Sequence, residues 1–348
     1  MNVVIEIPRP DDWHVHLRDD SMLAAVVEYT AKRFRYAMVM PNLAPPITTV
    51  AQAISYRQRI LAAAPPAYDF VPLLTLYCTA DLHIDEVRRG HEQGIVKAVK
   101  YYPAGATTNS DAGGSALADF MALFEAMAHL GVRLLVHAES TDPAIDIFDR
   151  EAAFLEGELA PLCESIPELG VTVEHVSTQA GVDFVADHPQ VAASVTPHHL
   201  ARERSHLLAD GMRPDLYCKP IINSAADQAA LVAAVTSGDP AFFLGTDSAP
   251  HSTLDKYAPR AKAGVFNAAY GLEVVAEVFA RADSIDTLSA FVSSNGCAVY
   301  EVEPPTETLT LERREVPEEL PGSLRTATGD EVVLFGVEEA RLWTIRSI

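Results

Sequence analysis

Two histidines one residue apart, a lysine inside an apolar run, and three further acid–base residues near the ends of such runs are where this sequence could do chemistry. His14-Val15-His16 is an HxH pair. In a strand, positions i and i+2 project to one face, so both imidazoles can meet one metal ion. On an edge strand the same pair would be a plain surface feature. Lys100, one of six lysines in 348 residues, closes the run Ile95-Val96-Lys97-Ala98-Val99-Lys100-Tyr101-Tyr102, which is apolar enough for a buried strand. A buried ammonium is costly, so such a lysine pairs, lowers its pKa or is modified. His137, His175 and Asp247 each stand near the end of an apolar run of their own.

Charge counting connects these residues. Four neutral imidazoles (His14, His16, His137, His175) and one aspartate balance two divalent cations poorly. A neutral lysine amine can add carbon dioxide, and the resulting carbamate has one negative charge and two oxygens able to span two metals. That gives Lys100 a reason to be buried; an ion pair with a nearby carboxylate is the alternative. A binuclear centre lowers the pKa of a bridging water, supplying hydroxide near neutral pH, and polarises a carbonyl under attack. Asp247 can ligate, accept the nucleophile's proton and return it to a leaving nitrogen. The reaction class is hydrolysis of an amide-like bond, or its reverse. Arg18, Asn42 and His251 lie on loops at the same ends of the strands. Arginine grips a carboxylate with two parallel hydrogen bonds, so these three point to a carboxylate-bearing substrate. Taken singly they would be a surface ion pair, a turn residue and a solvated loop. His198-His199 reads as structural or as support for the ligands.

Eight apolar runs of strand length must position these groups: residues 12–17, 35–40, 68–76, 95–101, 132–137, 171–175, 191–196 and 241–246. Helical spacing fills 24–33, 50–64, 84–93, 116–130, 225–235 and 267–280, and the intervals after Ser140 and Thr178. Strands alternating with helices over about 280 residues predict a (β/α)8 TIM-type barrel, in which catalytic groups gather at the C-terminal ends of the strands. An open doubly wound sheet would more often show a glycine-rich dinucleotide loop after its first strand. Here His14-Val15-His16-Leu17-Arg18 follows instead. We expect the barrel over residues 1–300 and a C-terminal extension, 301–348, packed on it, with short strands at 308–313 and 331–335. The glycine-rich segment 103–114, directly after Lys100, reads as a mobile loop.

Composition narrows the setting. The formal net charge is −22, which disfavours nucleic acid and anionic membranes as partners. Any anion-binding site then needs its own local positive charge. No stretch has the apolar length to cross a membrane, and the N-terminus lacks signal-peptide character. Cys78, Cys163, Cys218 and Cys297 are widely spaced with no CxxC pair, as expected of reduced thiols in a cytoplasm.

As a group, the motifs resemble those of the class II dihydroorotases of the amidohydrolase superfamily, from about residue 5 to about 300. They are Asp11-Asp12-Trp13-His14-Val15-His16-Leu17-Arg18, Met40-Pro41-Asn42, Val99-Lys100-Tyr101-Tyr102-Pro103-Ala104-Gly105-Ala106-Thr107-Thr108-Asn109-Ser110, Val136-His137-Ala138-Glu139, Glu174-His175 and Gly245-Thr246-Asp247-Ser248-Ala249-Pro250-His251. That family interconverts N-carbamoyl-L-aspartate and L-dihydroorotate in pyrimidine biosynthesis. The resemblance implies two zinc ions per subunit. His14, His16, carboxylated Lys100 (N6-carboxylysine) and Asp247 would hold one; Lys100, His137 and His175 would hold the other. Asp247 would be the general acid/base. His16, Arg18, Asn42, His137 and His251 would contact substrate, with main-chain contacts near Lys219 and Ala263. The loop at Thr107 and Thr108 would close over it. A homodimer is also implied. The segment 252–264 departs from the pattern by lacking a cysteine cluster that some relatives carry, which bears on Ala263 and on no metal ligand. A hydantoinase-like or dihydropyrimidinase-like enzyme would share the metals without needing the carboxylate grip. A catalytically dead scaffold would have lost ligands, and none is missing.

Overall fold

The computed structural model describes residues 4–209 and 211–346. Eight parallel strands follow one another round a sheet: β2 Asp12–Val15, β3 Tyr36–Val39, β4 Val71–Tyr77, β5 Val96–Tyr101, β6 Arg133–Val136, β7 Val171–Val173, β8 Val191–Val195 and β9 Phe242–Leu244. They are rich in Val, Leu and Ala and almost wholly buried, as strands covered on both faces must be. Between them run the helices Asp20–Arg33, Val50–Ala63, Ile84–Glu92, Met121–Leu130, Gln179–Asp187 and Ala225–Thr236. The (β/α)8 barrel expected from the periodicity is the fold observed.

The first and last barrel strands meet through a seam of side chains and isolated bonds. Asp247 N donates to His14 O (2.8 Å) and His16 N to Ser248 O (3.0 Å). The buried Asp12 carboxylate accepts from Thr246 N (2.8 Å), Thr246 Oγ1 (2.6 Å) and His14 N (3.2 Å). This seam sets the HxH strand directly against Asp247. A side chain at Gly245 would bring its Cβ within 3.0 Å of His14 and 2.7 Å of Ser194, so only glycine lets the chain pass there.

An inner cluster closes the barrel floor. It includes Trp13, Met38, Ala98, Leu135, Ala192, Phe243 and Tyr300, with Trp13 stacked on Tyr300 at 4.5 Å. Period-two alternation then lifts chemistry above the floor: Ala98 is followed by Lys100 and Tyr102, Leu135 by His137 and Glu139, and Met38 by Met40 and Asn42. The first strand departs from this rule. Its register shifts between Asp12 and Val15, and Val15 packs in the outer core.

A strand absent from the sequence reading precedes the barrel. β1, Val4–Pro8, pairs antiparallel with β10, Thr308–Arg313, which pairs with β13, Trp343–Arg346. β11, Ser323–Arg325, and β12, Glu331–Val333, form a separate hairpin. Trp343 Nε1 donates to Glu277 on the helix Gly271–Arg281 (2.9 Å). No helix among the described residues is long and apolar enough to cross a membrane. The four cysteines are buried and free.

Candidate metal centre and substrate pocket

The expected strand ends shorten in the structure, and the site gains from it. β6 stops at Val136, β7 at Val173 and β9 at Leu244, so His137 and His175 stand on the first residues of the loops instead of ending strands, and Asp247 lies further past its strand than expected. Arg18, His175 and Asp247 have φ of 58°, 45° and 45°, a left-handed region that non-glycine residues enter at a cost and that concentrates at functional sites. His175 N is held by Ser194 Oγ (2.9 Å). The following turn is pinned by the buried Glu151 carboxylate, which accepts from Ser177 and Thr178 backbone and hydroxyl groups.

All six expected ligands converge. His14 Nε2 lies 3.3 Å from His16 Nε2, and each lies close to Asp247 Oδ1, at 3.2 and 3.1 Å. His137 Nδ1 lies 3.0 Å from His175 Nε2. These atoms are buried, and His14, His16 and Asp247 form one group of spacing fit for an ion, with His14, Glu174 and His175 a second. Facing imidazole nitrogens offer lone pairs to one point, and a shared proton can satisfy only one pair at a time. The donor set therefore fits a cationic centre. Among the described residues His175 Nδ1 and Glu174 Oε1 have no hydrogen-bond partner.

Lys100 is fully buried and pairs with Glu174 Oε2. Burial pulls its ammonium below the usual lysine range, with the Glu174 charge opposing. The ion-pair alternative open at Lys100 in the sequence is thus the arrangement of the unmodified side chain. Glu174 also reaches His14 Nδ1 (3.0 Å). Burial disfavours charge on His14, but Glu174 and Asp247 outweigh it and hold the ring at about 9. The same burial drives His16 to about 4.

Two carboxylates beside the ligands had no role in the sequence reading. Glu174 is one; Glu139 is the other. Glu139 Oε2 meets His137 Nε2 (2.9 Å) and its Oε1 accepts from Lys219 Nζ (2.8 Å). A carboxylate on the far nitrogen of a ligating histidine fixes its tautomer and orientation. The signal was visible only as acids adjacent to histidines in the motifs. Lys219, expected to meet substrate through its backbone, places its side chain on Glu139.

Arg18, Asn42, His251, Lys219, Ala263 and the Thr107-Thr108 loop surround one cavity above the ligands, except that His251 sits just behind Arg18. Arg18 Nε donates to Pro250 O (3.2 Å). His251 Nε2 lies 3.0 Å from both Arg18 Nη2 and Ala263 O. One nitrogen cannot accept from a guanidinium and donate to a carbonyl together. Asn42 Nδ2 donates to Thr108 O (2.9 Å), Asn109 Nδ2 to Asn42 O (3.1 Å) and Thr108 Oγ1 to Ala263 O (3.4 Å). The loop is closed over the site, and the cavity left beneath it is ≈ 20 Å³, room for about one water. His198 and His199 are buried beside Cys218. His199 is bonded to Thr196 Oγ1 and Pro220 O, and His198 to Asn267.

Known proteins place this arrangement. The chain matches the amidohydrolase family over residues 10–310. It is 47% identical over 324 residues to a dihydroorotase of Nitrosococcus oceani, covering 92% of this chain and 94% of the relative. Its fold superposes on the crystal structure of dihydroorotase in complex with 5-fluoroorotic acid from Saccharomyces cerevisiae with a TM-score of 0.88, at 29% identity, covering 99% of this chain and 98% of that one. A dihydroorotase of Campylobacter jejuni gives a TM-score of 0.86 at 32% identity, over 96% and 95%. Identity near one half along almost the full length of both chains exceeds what a shared barrel alone produces, and the chain belongs to the dihydroorotases of the amidohydrolase family.

Proposed function

We propose that the chain interconverts N-carbamoyl-L-aspartate and L-dihydroorotate, a step of pyrimidine biosynthesis, as a cyclic amide hydrolase. The observation that carries this is one cavity joining the convergent ligand set to an arginine able to grip a carboxylate. His14, His16, Lys100 and Asp247 would hold one zinc ion, and Lys100, His137 and His175 the other, with Lys100 present as its carbamate. Carboxylation needs the neutral amine: carbon dioxide adds at Nζ and a proton leaves. Burial favours that neutral form. When bound, the ions polarise the carbonyl under attack and make a nucleophilic oxygen available near neutral pH.

The remaining steps belong to the side chains. Arg18, Asn42 and His251 take the substrate carboxylate that stays outside the reaction. A carboxylate that draws Arg18 away from His251 Nε2 can accept from the guanidinium and leaves His251 Nε2 free to donate. Asn42 releases Thr108 O as the loop 103–114 opens to admit substrate. Reclosure puts Thr107 and Thr108 over the ring and excludes water. In ring opening, Asp247 Oδ takes the nucleophile's proton and passes it to the departing ring nitrogen. In ring closure it takes the proton from the carbamoyl nitrogen and passes it to the departing oxygen. Glu139 and Glu174 orient His137 and His14.

Hydantoinase-like chemistry would not require Arg18, Asn42 and His251. We also propose a homodimer working in the cytoplasm, in keeping with the free buried cysteines. Residues 301–348 we take as an extension of the barrel unit, supported by the β1–β10 pairing and the Trp343–Glu277 bond. The purified protein, loaded with zinc, is expected to open dihydroorotate and to cyclise carbamoyl aspartate. Metal-loaded protein that does neither refutes the proposal.

A further inference from the structure

Tyr102 is a polar group inside the site with nothing to bond to. It is 1% exposed and lines the cavity, yet its hydroxyl has no hydrogen-bond partner. Leaving such a donor buried and unsatisfied is costly, and an unpaired phenol on a residue that lines the cavity is a donor for an acceptor that enters there. The ring is held rigidly. It lies 5.9 Å from the His137 ring, 5.1 Å from Tyr77 in a T-shaped pair, and 4.7 Å beneath Lys100 Nζ. Lys100 and Tyr102 sit at i and i+2, on one face of the chain leaving β5. Gly113 tightens the turn above: a Cβ there would lie 2.2 Å from Tyr102 O.

We infer that the Tyr102 hydroxyl is a further catalytic group of this enzyme, donating a hydrogen bond to the substrate oxygen that gains negative charge as the ring opens or closes. The inference rests on the dihydroorotase reading above. The other donors on the cavity wall have assigned work: Arg18 and Asn42 hold the bystander carboxylate, and Lys219 is spent on Glu139. Among the described residues on the cavity wall, Tyr102 joins burial, a neutral hydroxyl donor and no partner. A preorganised donor of this kind acts where charge develops, so its removal lowers turnover more than affinity.

Tyr77 supplies the control. Its hydroxyl is also unpartnered, but it lies outside the cavity wall and serves through its ring. Tyr102→Phe and Tyr77→Phe in the zinc-loaded full chain keep both rings and remove one oxygen each. For Tyr102→Phe, kcat should fall on the order of 100-fold in both directions, with KM and metal content close to the parent. Tyr77→Phe should leave kcat unchanged. A Tyr102→Phe enzyme within about threefold of the parent kcat refutes the inference, as does a loss matched by metal loss or by Tyr77→Phe. A parent that turns over neither substrate refutes the dihydroorotase reading and the inference with it; an active parent with an equally active Tyr102→Phe refutes the inference alone.

Discussion

Replacing Arg18 by methionine separates substrate recognition from metal binding. Among the described residues the guanidinium hydrogen-bonds Pro250 O and His251 Nε2 and no atom of the proposed ligands. Its backbone is held independently, with Tyr56 Oη donating to Arg18 O (2.6 Å). Methionine keeps much of the stem and removes the charge, so the pocket should stay in shape. Hydrogen bonds to a charged group contribute about 1.5–3 kcal/mol each, and losing a two-pronged grip on a carboxylate should cost about 3 kcal/mol once the neighbours relax. At 1.4 kcal/mol per decade, that is a rise of roughly 100-fold in KM for dihydroorotate. Arg18→Lys, which keeps charge without the planar fork, should recover about half of that free energy. Steady-state kinetics in both directions, with metal content measured on the same samples, are the assay. A KM within about threefold of the parent, or zinc lost in step with activity, would show that Arg18 is structural and that the substrate carboxylate lies elsewhere.

Three other perturbations probe different parts of the site. Lys100→Ala should lower the metal content and abolish most turnover; a fully active variant would remove the carbamate from the chemistry. Lys256 Nζ donates to Tyr217 O, Lys262 O and Gly264 O (2.8, 3.2 and 2.7 Å), clipping together the two backbone segments that carry Lys219 and Ala263. Lys256→Met should raise KM by about tenfold through loss of this clip, with metal retained; unchanged KM would show the segments hold themselves. Burial brings Lys256 down to about 8 from 10.5, so the parent's KM should climb above pH 8 as the third donor is lost and the Lys256→Met KM should not. The sign for folding is opposite: with the folded pKa depressed, this group's cost fades as pH rises from about 8 to 10.5, so stability should increase over that window. Equal pH dependence of KM in parent and variant would assign the titration to another group.

The barrel could be read from the chain because its strands are buried on both faces and so appear as unbroken apolar runs. β1 escaped because it is a short strand whose partner lies some 300 residues away, and only that pairing with β10 makes it a strand. The runs at β6, β7 and β9 were read too long for a physical reason. Residues such as His175 and Asp247 are apolar-strand neighbours in sequence but take positive φ, and nothing in a non-glycine letter announces that. The proposed ligands are recognisable by type and spacing, whereas the contacts of Glu174 and Glu139 are not. Lys100 and Glu174 are 74 residues apart, and Lys219 and Glu139 are 80 apart. Such pairs exist only once the barrel closes.

The net charge of −22 looks unfavourable for an enzyme acting on anions, but distance settles the matter. At physiological ionic strength the Debye length is about 8 Å, so acids spread over the outer helices are largely screened from a substrate at the mouth. Inside, screening falls away and the nearest charges dominate. Besides Lys100 and His14, which pair with Glu174, three cationic side chains among the described residues stand in or beside the cavity: Arg18 against Pro250 O and His251, Lys219 on Glu139, and Lys256 on backbone carbonyls. Arg18 has N–H donors beyond those aimed at Pro250 O and His251. In the proposed reading Arg18 takes the carboxylate inside a cavity with room for about one water, and the acidity of the surface is free to serve solubility without opposing it.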